Sequence, residues 1–247
     1  MPVLATGAPP ALSVVVPAHN ERDNVAALLA EIEAALGPLG IEWEALFVDD
    51  CSGDDTLAQL RALQAAHPRL RVLHHRRQSG QSLAIRTGVK AARGPWIATL
   101  DGDGQNDPAD IPRLLAARDA GDPTVKLYAG WRVQRRDSGS KRWASRIANA
   151  IRARLLQDET PDTGCGLKLF ERATFLDLPW FDHMHRYLPA LVKRAGWRSV
   201  SVPVGHRPRT AGRSKYGNLQ RAWVGLKDLR GVAWLIARSR LTQVDEL

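Results

Sequence analysis

Four times in its first 105 residues the chain runs an apolar stretch into an abrupt polar tip, and that repetition limits it to few architectures. Leu12-Ser13-Val14-Val15-Val16-Pro17 is a β-branched run, read as a strand buried on both faces, and it stops at Pro17-Ala18-His19-Asn20-Glu21. Trp43 to Val48 stops at Asp49-Asp50-Cys51-Ser52. Leu70 to His74 leads to Gln78-Ser79-Gly80-Gln81, and Trp96 to Leu100 ends at Asp101. Helical patterns lie between them. Val25, Leu28, Leu29, Ile32 and Leu36 recur at three-to-four spacing behind Asp23-Asn24 and are closed by Gly37-Pro38. A second segment, capped by Asp54 or Asp55, runs through His67, and a third covers Ser82 to Ala92. This alternation predicts an α/β fold, a mainly parallel sheet with helices on both faces. In such folds ligands collect at the carboxyl ends of the strands. Asn20/Glu21, Asp49/Asp50, Gly80 and Asp101/Asp103 all fall there.

The fourth tip, Leu100-Asp101-Gly102-Asp103-Gly104-Gln105, carries the most chemistry. Residues i and i+2 of a strand point to one side, so Asp101 and Asp103 face one point just past the strand end. Gly102 and Gly104 let the backbone bend and approach closely. Two carboxylates and an amide oxygen are hard ligands suited to Mg²⁺ or Mn²⁺, ions that keep waters and bind through substrate phosphates. The same residue types also close ordinary polar turns, so the motif needs the chain around it.

Length and composition fit one large domain without a Pro/Gly/Ser-rich linker: 247 residues, 44% hydrophobic and 25% charged. Two cysteines, Cys51 and Cys165, give neither a disulfide framework nor metal-site spacing, which favours a reducing compartment and buried filler roles. Met1 to Pro10 lacks a basic segment followed by an apolar core, and no run approaches the roughly 20 apolar residues that span a bilayer. A soluble or peripheral protein is expected. Net charge is +9 and unevenly spread: residues 1–125 hold 11 Lys/Arg against 16 Asp/Glu, and residues 126–240 hold 24 against 8. A basic back half points to a partner with negative charge, whether phosphates, nucleic acid or an anionic membrane surface.

Six motifs in order resemble the inverting family-two glycosyltransferases, and within them the dolichyl-phosphate mannosyltransferase / polyprenyl-phosphate glycosyltransferase group. They are Val15 to Glu21, Val48 to Asp54, Arg77 to Gln81, Asp101 to Gln105, Asp162-Thr163-Gly164-Cys165-Gly166-Leu167-Lys168, and His206-Arg207-Pro208-Arg209 through Gly212 to Tyr216. The resemblance spans about Leu12 to Arg240 and implies a GT-A (Rossmann-like) fold over residues 1–215, followed by a C-terminal amphipathic helix in 216–247. His19 stands where the family usually has Tyr, and Gly102 and Gly104 where Ala and Leu are commoner, which leaves the donor base open.

Carried over residue by residue, the resemblance implies that Pro17, Ala18 and Glu21 with Val48, Asp49 and Asp50 hold the base and ribose of a GDP- or UDP-linked sugar. Gly80 admits that ligand close to the backbone. Asp101, Asp103 and Gln105 ligate a divalent metal, Mg²⁺ or Mn²⁺, that bridges the diphosphate. Arg132, Arg209 and Lys215, joined by Lys141 or Arg142, face the donor and acceptor phosphates, and Asp162 takes an acceptor-side or positioning role. Arg152 and Arg154, in a helix over Gly139 to Leu156, are expected on a solvated face. His74, His75, His183, His185 and His206 show no triad-like or ligand spacing and are expected to be structural or solvent-facing.

The implied reaction moves one hexose, mannose favoured, to a polyprenyl phosphate at the cytoplasmic membrane face. A phosphate monoester is already anionic, so no strong general base is required. Transfer to a sugar hydroxyl is the nearest rival and would need one, with Asp162 as the candidate. A nucleotidyltransferase shares the fold, but its Gly-rich loop after the first strand is absent. A nucleic-acid-binding protein is supported by charge alone, with no recognition helix or aromatic platform, so no nucleic-acid partner is expected. Near the end, Leu219, Ala222, Leu226, Leu229, Ala233 and Ile236 recur every three or four residues among Arg221, Lys227, Arg230, Arg238 and Arg240. With Trp223 and Trp234 this reads as a basic helix for an anionic bilayer surface, or one packed on the protein's own sheet or a second subunit. Related chains often continue into membrane spans; this one ends at Leu247, so peripheral attachment is expected.

Overall fold

The computed structural model describes residues 8–133, 152, 155, 156, 158, 160–205, 207 and 218–242, with 218–223 described by backbone alone. Seven strands form one sheet of order β3-β2-β1-β4-β6-β5-β7. They are β1 (Leu12–Ala18), β2 (Trp43–Asp49), β3 (Leu70–His74), β4 (Trp96–Thr99), β5 (Val125–Arg132), β6 (Lys168–Glu171) and β7 (Arg198–Val204). Every pairing is parallel except those of β6, which runs antiparallel between β4 and β5. The helices are α1 (Val25–Leu36), α2 (Thr56–Ala66), α3 (Gln81–Ala91), α4 (Ile111–Asp119), α5 (Arg172–Asp177), α6 (Leu188–Arg194) and α7 (Asn218–Ala237). The expected mixed α/β architecture is present, and the first four strands lie within two residues of their expected bounds.

The two-residue period of each strand divides the apolar runs between two cores. Val14, Val16, Ala45, Phe47 and Ala98 point to one face, where α1 brings Val25, Leu28, Leu29 and Ile32 and α4 brings Ile111 and Leu114. Val15, Leu46, Ile97 and Phe170 point to the other, beneath Ile85 and Val89 of α3, Leu188 and Leu191 of α6, and Val232 of α7. Such double coverage is why the strands read as continuous apolar runs rather than alternating ones.

Two strands escaped the sequence reading. β6 is four residues long, and β7 carries Pro203, which lacks a ladder donor and is tolerated because β7 lies at the sheet edge. α2 starts at Thr56, whose backbone N–H and hydroxyl both donate to Asp54, at 3.0 and 2.5 Å. Of the helix expected over Gly139 to Leu156, only Arg152, Leu155 and Leu156 are described, and they are helical. Arg152 is buried rather than solvated: it pairs with Asp158 at 3.1 Å and donates to the Thr160 carbonyl at 2.7 Å. Arg154 lies outside the described residues.

α7 packs on the body through Val232, with Leu229, Ala233 and Ile236 against the same core. The Tyr187 hydroxyl donates to the Gly225 carbonyl at 3.2 Å, and Arg194 Nε to the Leu235 carbonyl at 3.0 Å. Leu226 of the apolar stripe is 50% exposed, and Trp234 is 60% exposed. Among the described residues no helix is long and apolar enough to cross a membrane.

Gly88 sets how close α3 comes to the sheet, because a Cβ there would collide with Val15 Cγ1 and press on Val48 Cγ2 at 3.3 Å. Alanine gains about 1 kcal/mol over glycine in a helix interior, but overpacking costs about 1–3 kcal/mol. We expect Gly88→Ala to lower Tm, by roughly 2–4 °C per net kcal/mol in a chain of this size. Scanning calorimetry checks this; an unchanged or raised Tm would show that α3 lifts from β1 at no cost.

Candidate functional site

The strand order turns at β1, which has β2 on one side and β4 on the other. Crevices at such switch points, outside the carboxyl ends of the strands, are where open α/β sheets bind ligands. The Asp101-Gly102-Asp103 turn sits in that crevice, immediately after β4 has ended at Thr99. It lies hard against the tip of β1: a Cβ on Gly102 would be 2.8 Å from the Pro17 carbonyl and 3.5 Å from Glu21 Cγ. Only glycine permits that approach. The two carboxylates therefore converge through a turn rather than through the pleat of a strand.

On the β2 side of the crevice, buried acids brace the loops. Asp49 is wholly buried and its Oδ2 accepts from His74 Nδ1 at 2.8 Å. Asp50 accepts the backbone N–H groups of Ser79 and Gly80, at 2.9 and 2.8 Å, and His75 Nδ1 at 2.7 Å. His75 Nε2 is in turn 2.9 Å from the Thr87 hydroxyl. Asp50 thereby fixes Gly80, whose φ of 87° favours glycine and which opens α3. Val48, Asp49 and Asp50, expected to hold the base and ribose, lie at the floor of the crevice. They have almost no exposed surface and shape the crevice from beneath. The accessible groups are Pro17, His19 and Glu21 of the β1 tip, with Ala18 buried behind them. His19 Nδ1 donates to the Asp50 carbonyl at 2.9 Å and Nε2 faces the Gln78 amide at 3.2 Å, while Glu21 accepts from Asn24 at 2.7 Å.

On the β4 side, Asp101 Oδ1 accepts from Gln81 Nε2 at 2.7 Å, and Asp103 Oδ1 accepts the Gln105 backbone N–H at 3.1 Å. Desolvation first, and then the charge of Asp103, hold the Asp101 carboxyl above the usual carboxylate range, against the pull of Lys168 and Arg132. Two neighbouring carboxylates form an oxygen-donor set that fits a divalent cation, whose positive charge would offset the field of Asp103 at Asp101. The Gln105 side-chain amide makes no hydrogen bond among the described residues and is within the same turn, while its carbonyl accepts from the Arg207 backbone N–H at 3.1 Å. Also among the described residues, no three His, Cys, Asp or Glu side chains gather to enclose a metal. An ion at the Asp101–Asp103 pair would thus complete its shell with Gln105, waters and substrate phosphates.

The loop entering β6 closes this side. A Cβ on Gly166 would overlap the Asp101 carboxylate and lie 2.6 Å from Asn106 Oδ1, so the glycine is the space that Asp101 occupies. Lys168, nearly buried, donates its ammonium to the Cys165 carbonyl and, at 3.5 Å, to that of Thr163. Burial pushes its pKa down, opposed by Cys165, Asp101 and Asp162. Arg132 grips Asp162 bidentately, Nε to Oδ2 at 2.6 Å and Nη2 to Oδ1 at 2.9 Å, and Asp162 also accepts the Gly164 N–H at 3.2 Å. Between this loop and α3 lies a pocket of about 220 Å³, bounded by Gln81, Ile85, Asp101, Gly166, Lys168, His185, Arg186 and Leu188 among others.

Of the residues expected at the site, Pro17, Glu21, Gly80, Asp101, Asp103, Gln105, Arg132 and Asp162 are brought to the crevice. Arg209, Lys215, Lys141, Arg142 and His206 lie outside the described residues. His185 lines the pocket and shares a hydrogen bond of 2.6 Å with Ser82 Oγ, 103 positions away. Gln81, Lys168 and Arg186 had no assigned role, and His185 was expected to be structural or solvent-facing. Gln81 and Lys168 stand inside quoted motifs, which is a usable signal; His185 and Arg186 carry none. We expect Gly166→Ala to displace Asp101 and cut turnover about 100-fold or more, as a displacement near 1 Å does, with an unchanged circular dichroism spectrum. Full activity would show that Asp101 has room to move.

The glycosyl transferase family 2 signature matches residues 13–178. The chain is 34% identical over 229 residues, 91% of its length, to a dodecaprenyl-phosphate galacturonate synthase of Rhizobium johnstonii, covering 67% of that protein. It is 34% identical over 207 residues, 83% of its length, to an undecaprenyl-phosphate 4-deoxy-4-formamido-L-arabinose transferase of Edwardsiella ictaluri, covering 63% of it. The chain thus spans about two thirds, or slightly less, of these relatives. Among solved structures it is similar to a mannosyltransferase of Pyrobaculum calidifontis in complex with GDP-Man and Mn²⁺, with TM-score 0.65, 21% identity, and coverage of 96% of this chain and 68% of that one. A glucosyl-3-phosphoglycerate synthase of Mycobacterium tuberculosis bound to Mn²⁺, UDP and glucosyl-3-phosphoglycerate gives TM-score 0.67 and 19% identity, with 95% and 81% coverage. At those identities the structural likeness speaks for the GT-A fold alone, but with the sequence match it leaves one assignment: the chain belongs to glycosyl transferase family 2.

Proposed function

We propose that this glycosyltransferase moves one glycosyl group, with inversion, from a nucleoside-diphosphate sugar to a polyprenyl phosphate. The observation that carries the reading is the Asp101–Asp103 turn at the switch point, opening on a pocket the size of one sugar. Both curated relatives are named for a polyprenyl phosphate, which supports the acceptor class. Mannose draws support only from a fold neighbour at 21% identity, so the sugar is not carried over from it. GDP and UDP remain the two donor bases to test.

In this mechanism the β1 tip receives the base and ribose, with Glu21 offering oxygens to hydroxyls or a base N–H. Asp101, Asp103 and Gln105 would hold Mg²⁺ or Mn²⁺, which supplies positive charge to the departing diphosphate. Gly80, fixed by Asp50, keeps the backbone close to the donor. An oxygen of the ionised acceptor phosphate attacks the anomeric carbon as the bond from that carbon to the diphosphate oxygen breaks. No proton has to be removed. Asp162, with both oxygens given to Arg132, is suited to positioning that cation rather than to general base work. Arg209 and Lys215 join Arg132 as phosphate-facing cations in this reading.

The outward face of α7 suits peripheral attachment at the cytoplasmic face of an anionic membrane. Leu226 and Trp234 are exposed beside Lys227, Arg230 and Arg238, the last stacked over Trp234 at 5.9 Å. Asp228 is turned inward, 3.1 Å from His183.

The reaction is tested by incubating the full chain with paired nucleotide sugars, Mn²⁺ and liposomes holding undecaprenyl phosphate, with glycosyl-phosphate lipid read by mass spectrometry. Product should form with one base, vanish with chelator, and fall by about 100-fold or more in Asp103→Ala, the scale of losing a preorganised charge. Product without metal, or none with any donor, would sink the proposal. Acceptor chemistry is tested by a double-mutant cycle. If Asp162 acts only through Arg132, Asp162→Asn and Arg132→Met each cost about tenfold and the pair little more, as coupled residues do. A loss of about 10³-fold or more in Asp162→Asn alone, beyond the Arg132 effect, marks a general base and a hydroxyl acceptor.

A further inference from the structure

Among the described residues, the pocket beside Asp101 has one lining cation without a hydrogen-bond or ion-pair partner. Lys168 spends its ammonium on the Cys165 and Thr163 carbonyls, and Arg132, outside the pocket, spends its fork on Asp162. Arg186 lines the pocket and is half-buried, yet its guanidinium makes no hydrogen bond or ion pair among the described residues. The nearby acids are engaged: Asp101 with Gln81 and the field of Asp103, Asp228 and Asp182 with His183. The wall is electropositive. His185 is held neutral, its pKa well below 6.5, by burial first and then by the charges of Lys168, Arg186 and His183.

The rest of the pocket suits a sugar ring. Ile85, Leu100 and Leu188 give an apolar surface for a ring face, while Gln81, Thr99 and Thr163 offer polar groups to hydroxyls. Its volume of about 220 Å³ takes one monosaccharide and not a nucleotide as well. A guanidinium presents donors in a planar fork that matches a carboxylate bidentately. A neutral hexose would leave that fork unmatched in a partly dry site, which disfavours it.

We propose that this pocket seats the transferred sugar and that Arg186 makes it selective for a uronic acid, pairing its guanidinium with the sugar's carboxylate. The inference rests on the transferase reading above and fixes the class of sugar that reading leaves open.

The test is calorimetric binding of the full chain, with Mn²⁺, to GDP and UDP and to matched pairs: UDP-galacturonate with UDP-galactose, and GDP-mannuronate with GDP-mannose. On the base the protein accepts, the uronate donor should bind about 10- to 100-fold tighter than its neutral partner, the range of a charge-assisted bidentate contact. In Arg186→Met that ratio should fall to about one, and Arg186→Lys, which keeps charge without the fork, should retain part of it. Equal affinities in the unaltered protein overturn the inference and leave the transferase reading standing. A preference that survives in both variants also overturns it, as does an Arg186→Met defect confined to polyprenyl phosphate binding. No binding of any nucleotide or nucleotide sugar overturns both readings.

Discussion

Asp101 occupies a seat with no spare room, and the organisation of the site follows from that. Gly166 leaves the volume its carboxylate fills, Gly102 lets its turn press on the Pro17 carbonyl, and Gln81 at the start of α3 donates to it. Strands β1, β4 and β6 and helix α3 thus meet around one charged group. Interiors are close-packed, so a displacement at any one of these segments is passed to the others rather than absorbed. The carboxylate is held by shape before any ligand contributes.

Electrostatics then sorts the surrounding charges into those already matched and those left over. Asp162 and Arg132 satisfy each other, Asp50 is committed to the loop before α3, and Lys168 is held by carbonyls. Asp101 is held above the usual carboxylate range by burial and the charge of Asp103, and Arg186 across the pocket makes no hydrogen bond or ion pair among the described residues. A site with two carboxylates at one end and a guanidinium at the other is suited to a substrate that brings a cation to the first and an anion to the second. Charge count alone does not convey this: the +9 total of the chain is compatible with a nucleic-acid surface, whereas the paired and unpaired groups are compatible with a small charged sugar donor.

The terminal helix shows the same division between pattern and placement. Its three-to-four spacing of apolar residues identifies a helix, and Leu229, Ala233 and Ile236 do face the body as that spacing suggests. Val232 is nonetheless its deepest residue, and Leu226 turns outward with Trp234 among basic side chains.

Local signals were therefore enough for the strand–helix alternation, the polar tips and the Asp101–Gln105 turn, because apolar periodicity and turn chemistry are properties of neighbouring residues. The family motifs added which tips belong together. β6 and β7 were not legible, being a four-residue strand and a proline-bearing edge strand whose identity depends on what they pair with. Nor was the role of Asp49 and Asp50, whose burial is set by loops contributed by residues 74–80. His185 and Arg186 reach the pocket through the fold of the segment after β6, which packs against α3 where His185 meets Ser82. The sequence by itself determined the elements and the carboxylate turn. Which charges pair with which was decided only by the tertiary structure, since pairing is a matter of distances between residues up to 103 positions apart.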